Sequence, residues 1–532
     1  MLQHKHLRSN TTTHFYTMTD NTSNNKRIAK NTLMLYIRMF LMMAVTLYTS
    51  RVVLQQLGVE DFGVYNVVGG LVSTFSILTN SLSGACSRFI NFELGTGNFQ
   101  KLKSIVSTSF NIQIYLSIAV LIALESLGPW FLNNYMEIPS GRLGAANWVL
   151  QFTIAIFVVK LIMVPLNALI VSHERMSAYA YFSIIEVVLQ LLIVFLLGVS
   201  DADKLILYSF LMFVVSIIVV GLYLFYCLSQ FKECTYSIRV DTAELKKMSG
   251  FAGWNFLGTT AGVLRNQGID IIVNMFFGVV LNAARGVANQ VNTALGKFIS
   301  SFMTALNPQI THSYASGDIG RMEFLVFQGS RFSYYLMLFL TVPVVLEMDY
   351  ILHLWLKTVP ESAVLFSQMQ LLIALVGCLS QTMVMALLAT GNIRNYQLLV
   401  GGISLLCFPV AYVFLYCGFS AYVTYIVLFF SELGCLFARS YMMKKLIGIK
   451  IGKFIRQVVV KVVFVSIAAC VFPIAVILLK DESFGRFVIS ILVSMSSCLI
   501  SIYYLGLNKE ERNFLLNKVG NVFGKIKPRS HN

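Results

Sequence analysis

A chain of 532 residues that is 57% hydrophobic and 12% charged, with mean hydropathy +0.73, does not have the composition of a water-soluble domain; such domains carry about 25% charged residues. A net charge of +16 would suggest nucleic acid in a soluble protein, but here the Lys and Arg stand between apolar runs. No basic stripe interleaved with aromatics occurs, so no nucleic-acid partner is expected.

Residues 1–30 form a polar N-terminal tail without the short apolar core of a cleavable signal, and Met18 is an alternative start to Met1. Apolar runs of membrane-spanning length then follow one another. They predict about fourteen helices, at 31–55, 62–91, 104–127, 147–171, 177–199, 204–229, 249–277, 281–308, 324–346, 365–390, 397–417, 420–442, 458–479 and 485–506. The expected fold class is an all-α polytopic membrane protein. Its divisions are an N-lobe of six helices (31–230), a cytoplasmic linker (231–248) and a C-lobe of six (249–443). Two further helices with a basic connecting loop (444–506) and a basic tail (507–532) complete the chain. The outer loops hold only Arg142, Lys204, Arg285, Lys357, Lys480 and Arg486 of the 40 Lys and Arg when both termini are placed in the cytosol, and this bias sets the orientation. The loops are too short for an extramembrane catalytic domain. The nine cysteines, mostly in or beside apolar runs and without a CxxC pair, read as small buried hydrophobes, and no metal site is expected.

The chain repeats itself. "GVEDFGVYNV" from Gly58 answers to "GVVLNAARGV" from Gly278, and "GTGNFQKL" around Gly97 to "ASGDIGRM" around Gly317, both pairs 220 positions apart. Pro139 and Pro360 continue the series, as do "SHERMSAY" (172–179) and "TGNIRNY" (390–396). A near-constant offset that contains six helices gives two copies of the same orientation, a parallel repeat about an axis along the membrane normal.

Two helices carry polar stripes. Asn282, Arg285, Asn289, Asn292, Thr293, Gly296, Ser300, Thr304 and Asn307 recur mostly every third or fourth residue along the eighth helix. Tyr65, Gly69, Ser73, Ser76, Asn80, Gly84 and Ser87 do the same on the second. Small and polar residues let helices pack closely in lipid; an arginine and three amides exceed that need and favour a water-filled cavity between the lobes.

Charges within the spans point the same way, because a cation near the bilayer centre costs at least about 2.5–3.5 kcal/mol unless it faces a cavity or a partner. Lys160, Arg265 and Lys297 are central; Arg38, Arg51 and Arg331 lie near enough to helix ends to snorkel. The clear acids are Glu186, Asp270 and Glu432. Asp270 aligns with Ser50 through the repeat, beside Arg51, so an Asp270–Arg51 pair between the lobes is an expected latch. Cations outnumber acids, and the cavity should attract an anion. Candidate cavity residues are Arg38, Arg51, Lys160, Arg265, Asp270, Arg285, Asn289, Asn292 and Lys297. Glu186, Asp270 and Glu432 are the candidates for Na⁺ or H⁺ coupling; no other cofactor is expected.

Enzymatic motifs are missing. "GIKIGK" (448–453) and "GNVFGK" (520–525) have three residues between their glycines where a Walker A motif has four. No HExxH, nucleophile elbow or catalytic carboxylate pair occurs. Asp349, His353, Lys357 and Glu361 read as a solvated outer loop.

"NKRIAKNTLMLY" from Asn25, "LGVEDFGVYNVV" from Leu57, "LGTGNFQKLKS" from Leu94, "FFGVVLNAARGVANQVN" from Phe276 and "ALLATGNIRNY" from Ala386 resemble the polysaccharide transport family. That family belongs to the multidrug/oligosaccharidyl-lipid/polysaccharide (MOP) exporter superfamily, and the resemblance covers roughly residues 26 to 506. It implies a MATE-like arrangement of two lobes around a cavity, working by alternating access. It also implies the movement of undecaprenyl-pyrophosphate-linked sugar units, such as O-antigen, capsule or exopolysaccharide repeat units, from the inner to the outer leaflet of a bacterial cytoplasmic membrane. Cationic residues of such cavities meet pyrophosphate or acidic sugars; here the matches by location are Arg38, Arg51, Arg265, Arg285 and Lys297. The implied partners are the polyprenyl-linked glycan, the bilayer and polysaccharide polymerase or assembly proteins, with the chain itself a monomer. The alternatives are a multidrug antiporter of the same superfamily and a flippase for the peptidoglycan precursor. Helix one carries two arginines and no acid, which weighs against export of cationic drugs.

Overall fold

A backbone inside a bilayer has no water to bond, so each segment must satisfy its own N–H and C=O groups, and helices do this. The computed structural model describes residues 31–513 apart from 46–47, 50–51, 54, 59–60, 62–63, 66–67, 70–71, 73–74, 136–137, 139, 238–240, 357–358 and 361, and no strand occurs among them. The helices are α1 (Asn31–Val45), α2 (Ser76–Thr96), α3 (Phe99–Tyr135), α4 (Leu143–Ser172), α5 (Met176–Val199), α6 (Lys204–Gln230), α7 (Thr242–Ala315) and α8 (Ile319–Leu346). They continue with α9 (Met348–Leu356), α10 (Ala363–Ala389), α11 (Arg394–Tyr416), α12 (Val423–Ile447), α13 (Ile451–Phe454), α14 (Val460–Leu479) and α15 (Phe484–Ser501). A π-helical turn, Ile455–Val459, joins α13 to α14 into one span.

The ends of these helices follow from local chemistry. The Asp203 carboxylate accepts the Leu205 and Ile206 N–H groups at the start of α6. Asp241 does the same for Ala243 and Glu244 at the start of α7, and short acceptor side chains at this position relieve the orphan donors of a first turn. Gly97 ends α2 at φ +73, a left-handed conformation that costs glycine little.

Ten segments among the described residues are long and apolar enough to cross a membrane: α3 to α6, α8, α10 to α12, Ile451–Leu479 and Phe484–Gly506. The other four of the fourteen expected spans fall on α1, α2 and α7. The described part of α1 is short, and the polar stripes that distinguish α2 and α7 lower their hydropathy. The solvent is visible in the side chains as well. Phe225 is 75% exposed and Leu478 79%, whereas Gln113 and Ser330 are fully buried, the reverse of a water-soluble surface.

α7 covers 74 residues, yet the Arg285 Nε bonds the Asp270 Oδ1 and the Arg285 Nη2 approaches the Asn266 carbonyl at 3.5 Å. Residues 15 apart on a straight helix lie about 22 Å apart along its axis, far beyond an arginine's reach. The chain therefore reverses between Asp270 and Arg285, and the two limbs of α7 correspond to the expected spans 249–277 and 281–308. This corrects the placement of Arg285 in an outer loop: it lies within the helix and is 2% exposed.

The chain divides into two compact units. Unit one takes in the described residues up to Thr260 together with Ser301–Met322 and Leu388–Leu398. Unit two takes in Ala261–Ser300, Glu323–Leu387 and the described residues from Leu399 on. In unit one α4 is the central helix, packing on α2, α3, α5 and α6.

Candidate functional site

Lys160, Met163, Val164 and Asn167 occupy one face of α4, spaced by three, four and seven residues, so they point the same way over two turns. That face lines a cavity of about 280 Å³ within unit one. Thr79, Asn80 and Ser83 of α2, Glu186 of α5, and Ser216, Val219 and Val220 of α6 complete the lining. Lys160 and Glu186 thus share one cavity near the middle of their helices, and among the described residues neither takes part in an ion pair. Asn80 is the member of the α2 stripe that reaches it. Other members of that stripe have packing partners: a Cβ on Gly84 would come within 3.0 Å of the Asn255 Nδ2, and Asn255 donates to the neighbouring Ser81 carbonyl at 3.2 Å.

Arg38 of α1 also belongs to unit one. Its guanidinium lies 4.3 Å from the centre of the Tyr179 ring, a cation–π contact, and its Nε is buried without a hydrogen-bond partner. Arg51 lies outside the described residues.

The charges of unit two are grouped differently. Glu432 on α12 accepts from Arg265 Nη1 at 3.1 Å through one carboxylate oxygen and from Arg439 Nη1 at 3.0 Å through the other. Arg439 Nη1 also donates to the Ser380 Oγ at 2.6 Å. One acid between two guanidiniums leaves the cluster with a formal excess of one positive charge, in a place where Glu432 is only 10% exposed. Asp270 is held by Arg285, whose guanidinium also lies 5.4 Å from the Tyr425 ring. The Asp270 carboxylate thus has an arginine within its own unit, while the expected Asp270–Arg51 latch falls outside the described residues. Arg331, expected near a helix end, instead lies about midway along α8 and is bound to Glu511 at 2.6 Å.

On the second limb of α7, Asn289 and Asn292 are half-buried and Lys297 is exposed. Thr293 turns its hydroxyl back to the Asn289 carbonyl at 2.8 Å. The structure therefore groups the candidates as Lys160 with Glu186, Arg265 with Glu432, and Asp270 with Arg285. Arg439 escaped the sequence reading because it stands close to the end of the expected span 420–442. Its signal is nevertheless there: it follows Glu432 by seven residues, two turns along the same face, as Asn167 follows Lys160.

No family model matches the chain. In sequence it is similar to the uncharacterized membrane protein EpsK of Bacillus subtilis (strain 168), 22% identical over 273 residues, 50% of this chain and 53% of that protein. The match thus spans about half the length of that relative. In structure the chain is similar to a MATE in the straight conformation, with TM-score 0.67 and 12% identity over 80% of this chain and 97% of the other. The fold is MATE-like. The outward-facing conformation of a multidrug resistance MATE family transporter of the MOP superfamily gives TM-score 0.66 at 12% identity, with 80% and 97% covered. A MOP superfamily transporter from Pyrococcus furiosus, described by the reverse polarity of its binding pocket, gives TM-score 0.62 at 13% identity, with 80% and 97% covered. A multi-pass helical membrane protein with a MATE-like fold is thus established for this chain.

Proposed function

We propose that this protein is an alternating-access flippase. It moves an undecaprenyl-pyrophosphate-linked oligosaccharide, a repeat unit of surface polysaccharide, from the inner to the outer leaflet of the bacterial cytoplasmic membrane, with both termini in the cytosol. The observation that carries this reading is the pairing of Glu432 with both Arg265 and Arg439. A carboxylate shared by two guanidiniums has little left to offer a Na⁺, a proton or a cationic drug, and the net charge of the group attracts an anion. Asp270, held by Arg285, is likewise occupied. Two of the three acids suited to ion coupling are therefore bound to arginines, as in a machine for anionic cargo rather than a cation antiporter. That polarity distinguishes functions within this fold is consistent with the Pyrococcus furiosus transporter named for its reversed pocket.

A second reading, the MATE-like multidrug or cation antiporter, is favoured by one observation: Glu186 lines a cavity and has no arginine partner among the described residues. The two readings separate in proteoliposomes holding the purified full-length chain. A flippase brings a fluorescent polyprenyl-pyrophosphate glycan within reach of an external membrane-impermeant quencher and leaves a trapped cationic dye in place. An antiporter does the opposite.

A further inference from the structure

The cavity of unit one combines three properties. It is a partly open pocket lined by α2, α4, α5 and α6, whose polar groups converge on one space. It contains one cation and one anion, Lys160 and Glu186, that do not neutralise each other in an ion pair. Its remaining polar groups, among them Asn80, Asn167 and Ser216, both donate and accept hydrogen bonds. Unpaired charges at this depth persist only against water or a polar ligand.

The formal charge of the lining sums to zero, and this restricts the ligand. A pyrophosphate brought here would face Glu186, and a lipophilic cation would face Lys160; each meets a like charge as well as an opposite one. A neutral polyhydroxylated ring meets no such conflict. Its hydroxyls accept from the Lys160 ammonium, donate to the Glu186 carboxylate and do both with the amides. Its C–H faces can rest on Val164 and Val219. Volume restricts it further. A cavity of about 280 Å³ has room for about nine waters at liquid density and lies just under the roughly 300–1,000 Å³ of drug-sized sites. It fits one sugar ring, not an oligosaccharide.

We infer that this cavity is a saccharide subsite that holds a single neutral sugar residue of the lipid-linked glycan, with Lys160 as donor and Glu186 as acceptor. The inference rests on the flippase reading and deepens it. It also assigns Glu186 to the cargo instead of to a coupling ion, and it places the sugar in unit one while the excess positive charge stands in unit two.

The test uses the full chain in lipid nanodiscs and saturation-transfer NMR with free glucose and N-acetylglucosamine. Glucuronate and tetraphenylphosphonium serve as charged competitors. Wild type should transfer saturation to the ring protons of the neutral sugars, and neither competitor should displace them. Lys160→Met and Glu186→Leu should each weaken the sugar by about tenfold or more, the loss of one charge-assisted hydrogen bond. Ser83→Phe, which fills the cavity without removing a charge, should abolish the signal, and it carries the test if a charge variant loses its thermal transition. No sugar signal in wild type, equal signals in wild type and Ser83→Phe, or displacement by tetraphenylphosphonium would each overturn the subsite. The same nanodisc preparations, transferred to liposomes, separate the two failures. Flipping of the lipid-linked glycan without residue-dependent sugar binding removes the subsite alone, whereas absence of flipping removes the reading beneath it.

Discussion

A Cβ on Gly95 would lie 2.6 Å from the Cβ of Ala315 and 2.8 Å from the His312 carbonyl oxygen. The two positions are 220 residues apart, the offset of the sequence repeat. Equivalent positions of the two copies therefore touch, as residues beside a two-fold axis do. Two residues further on, the repeat is copied in backbone detail. Gly97 and Gly317 are left-handed at φ +73 and +78. Asn98 and Asp318 then accept the Lys101 and Arg321 backbone N–H groups at 3.1 and 2.9 Å. The parallel repeat is thus a property of structure as well as of sequence at the ends of α2 and α7.

This contact predicts that Gly95 tolerates no side chain. Gly95→Val should destabilise the protein by about 1–3 kcal/mol through overpacking, seen as a lowered thermal transition in detergent. Gly95→Ser should fall between Val and wild type. Paired Gly95→Cys and Ala315→Cys in a background lacking the native cysteines should form a disulfide on mild oxidation, because the two Cβ atoms need to separate only slightly to reach disulfide range. Cleavage at a protease site placed in the 231–248 linker would leave the halves joined.

Gly97 and Gly317 should behave as a matched pair. Each occupies a left-handed turn in front of an Asx cap, so Gly97→Ala and Gly317→Ala should each cost on the order of 1 kcal/mol. Thermal unfolding of the two single variants, with shifts in the same direction and of similar size, checks the equivalence.

Glu432 should be more costly to remove alone than together with its partners. Glu432→Ala leaves two guanidiniums facing each other and should cost about 3–5 kcal/mol. Arg265→Met with Glu432→Leu and Arg439→Met should recover most of that stability, since an apolar replacement of a buried ion group is often neutral. Restored folding without restored translocation in this triple variant would separate the structural role of the arginines from their role toward cargo.

The N-terminal ends of α4 and α6 should be acid-sensitive. Arg142 bonds Asp61 and approaches Asp203 at 2.7 Å; the Asp61 and Asp203 bonds push the Arg142 pKa upward. Burial works to raise the Asp203 pKa, but the Arg142 bond and charge and the Leu205 and Ile206 N–H donors outweigh it, so the net value falls below the ordinary 3.8. A carboxylate lowered on folding contributes stability above its unfolded pKa and loses it as pH falls through the folded value. Below about pH 4 the thermal transition of wild type should therefore fall more steeply than that of Asp203→Asn, by a modest amount because the pair is partly exposed.

Much of the architecture could be read in the sequence because lipid simplifies the problem. A run of apolar residues in a bilayer must be helical, so α3 to α6 and α10 to α12 lie where hydropathy placed them. Helix ends were less legible: the span 62–91 stopped short of Thr96, because the end of α2 is set by Gly97 and not by hydropathy. What sequence could not supply was the pairing of charges. The reversal of α7 was legible as the break between spans 249–277 and 281–308, but Arg285 was assigned to the outer loop at that break, so its pairing with Asp270 went unseen. Lys160 and Glu186 were each recognisable as misplaced charges. That they face one cavity follows from the packing of α4 on α5 and α6, a three-dimensional fact.

The central claim is tested most directly in cells. The chromosomal copy is deleted, and surface polysaccharide and its lipid-linked repeat unit are measured with either wild type or Arg265→Ala returned at equal expression. The account predicts that deletion removes the surface glycan and accumulates the lipid-linked unit on the cytoplasmic leaflet, and that wild type restores export while Arg265→Ala does not. Normal surface glycan in the deletion strain, accompanied by altered sensitivity to cationic drugs, would contradict it.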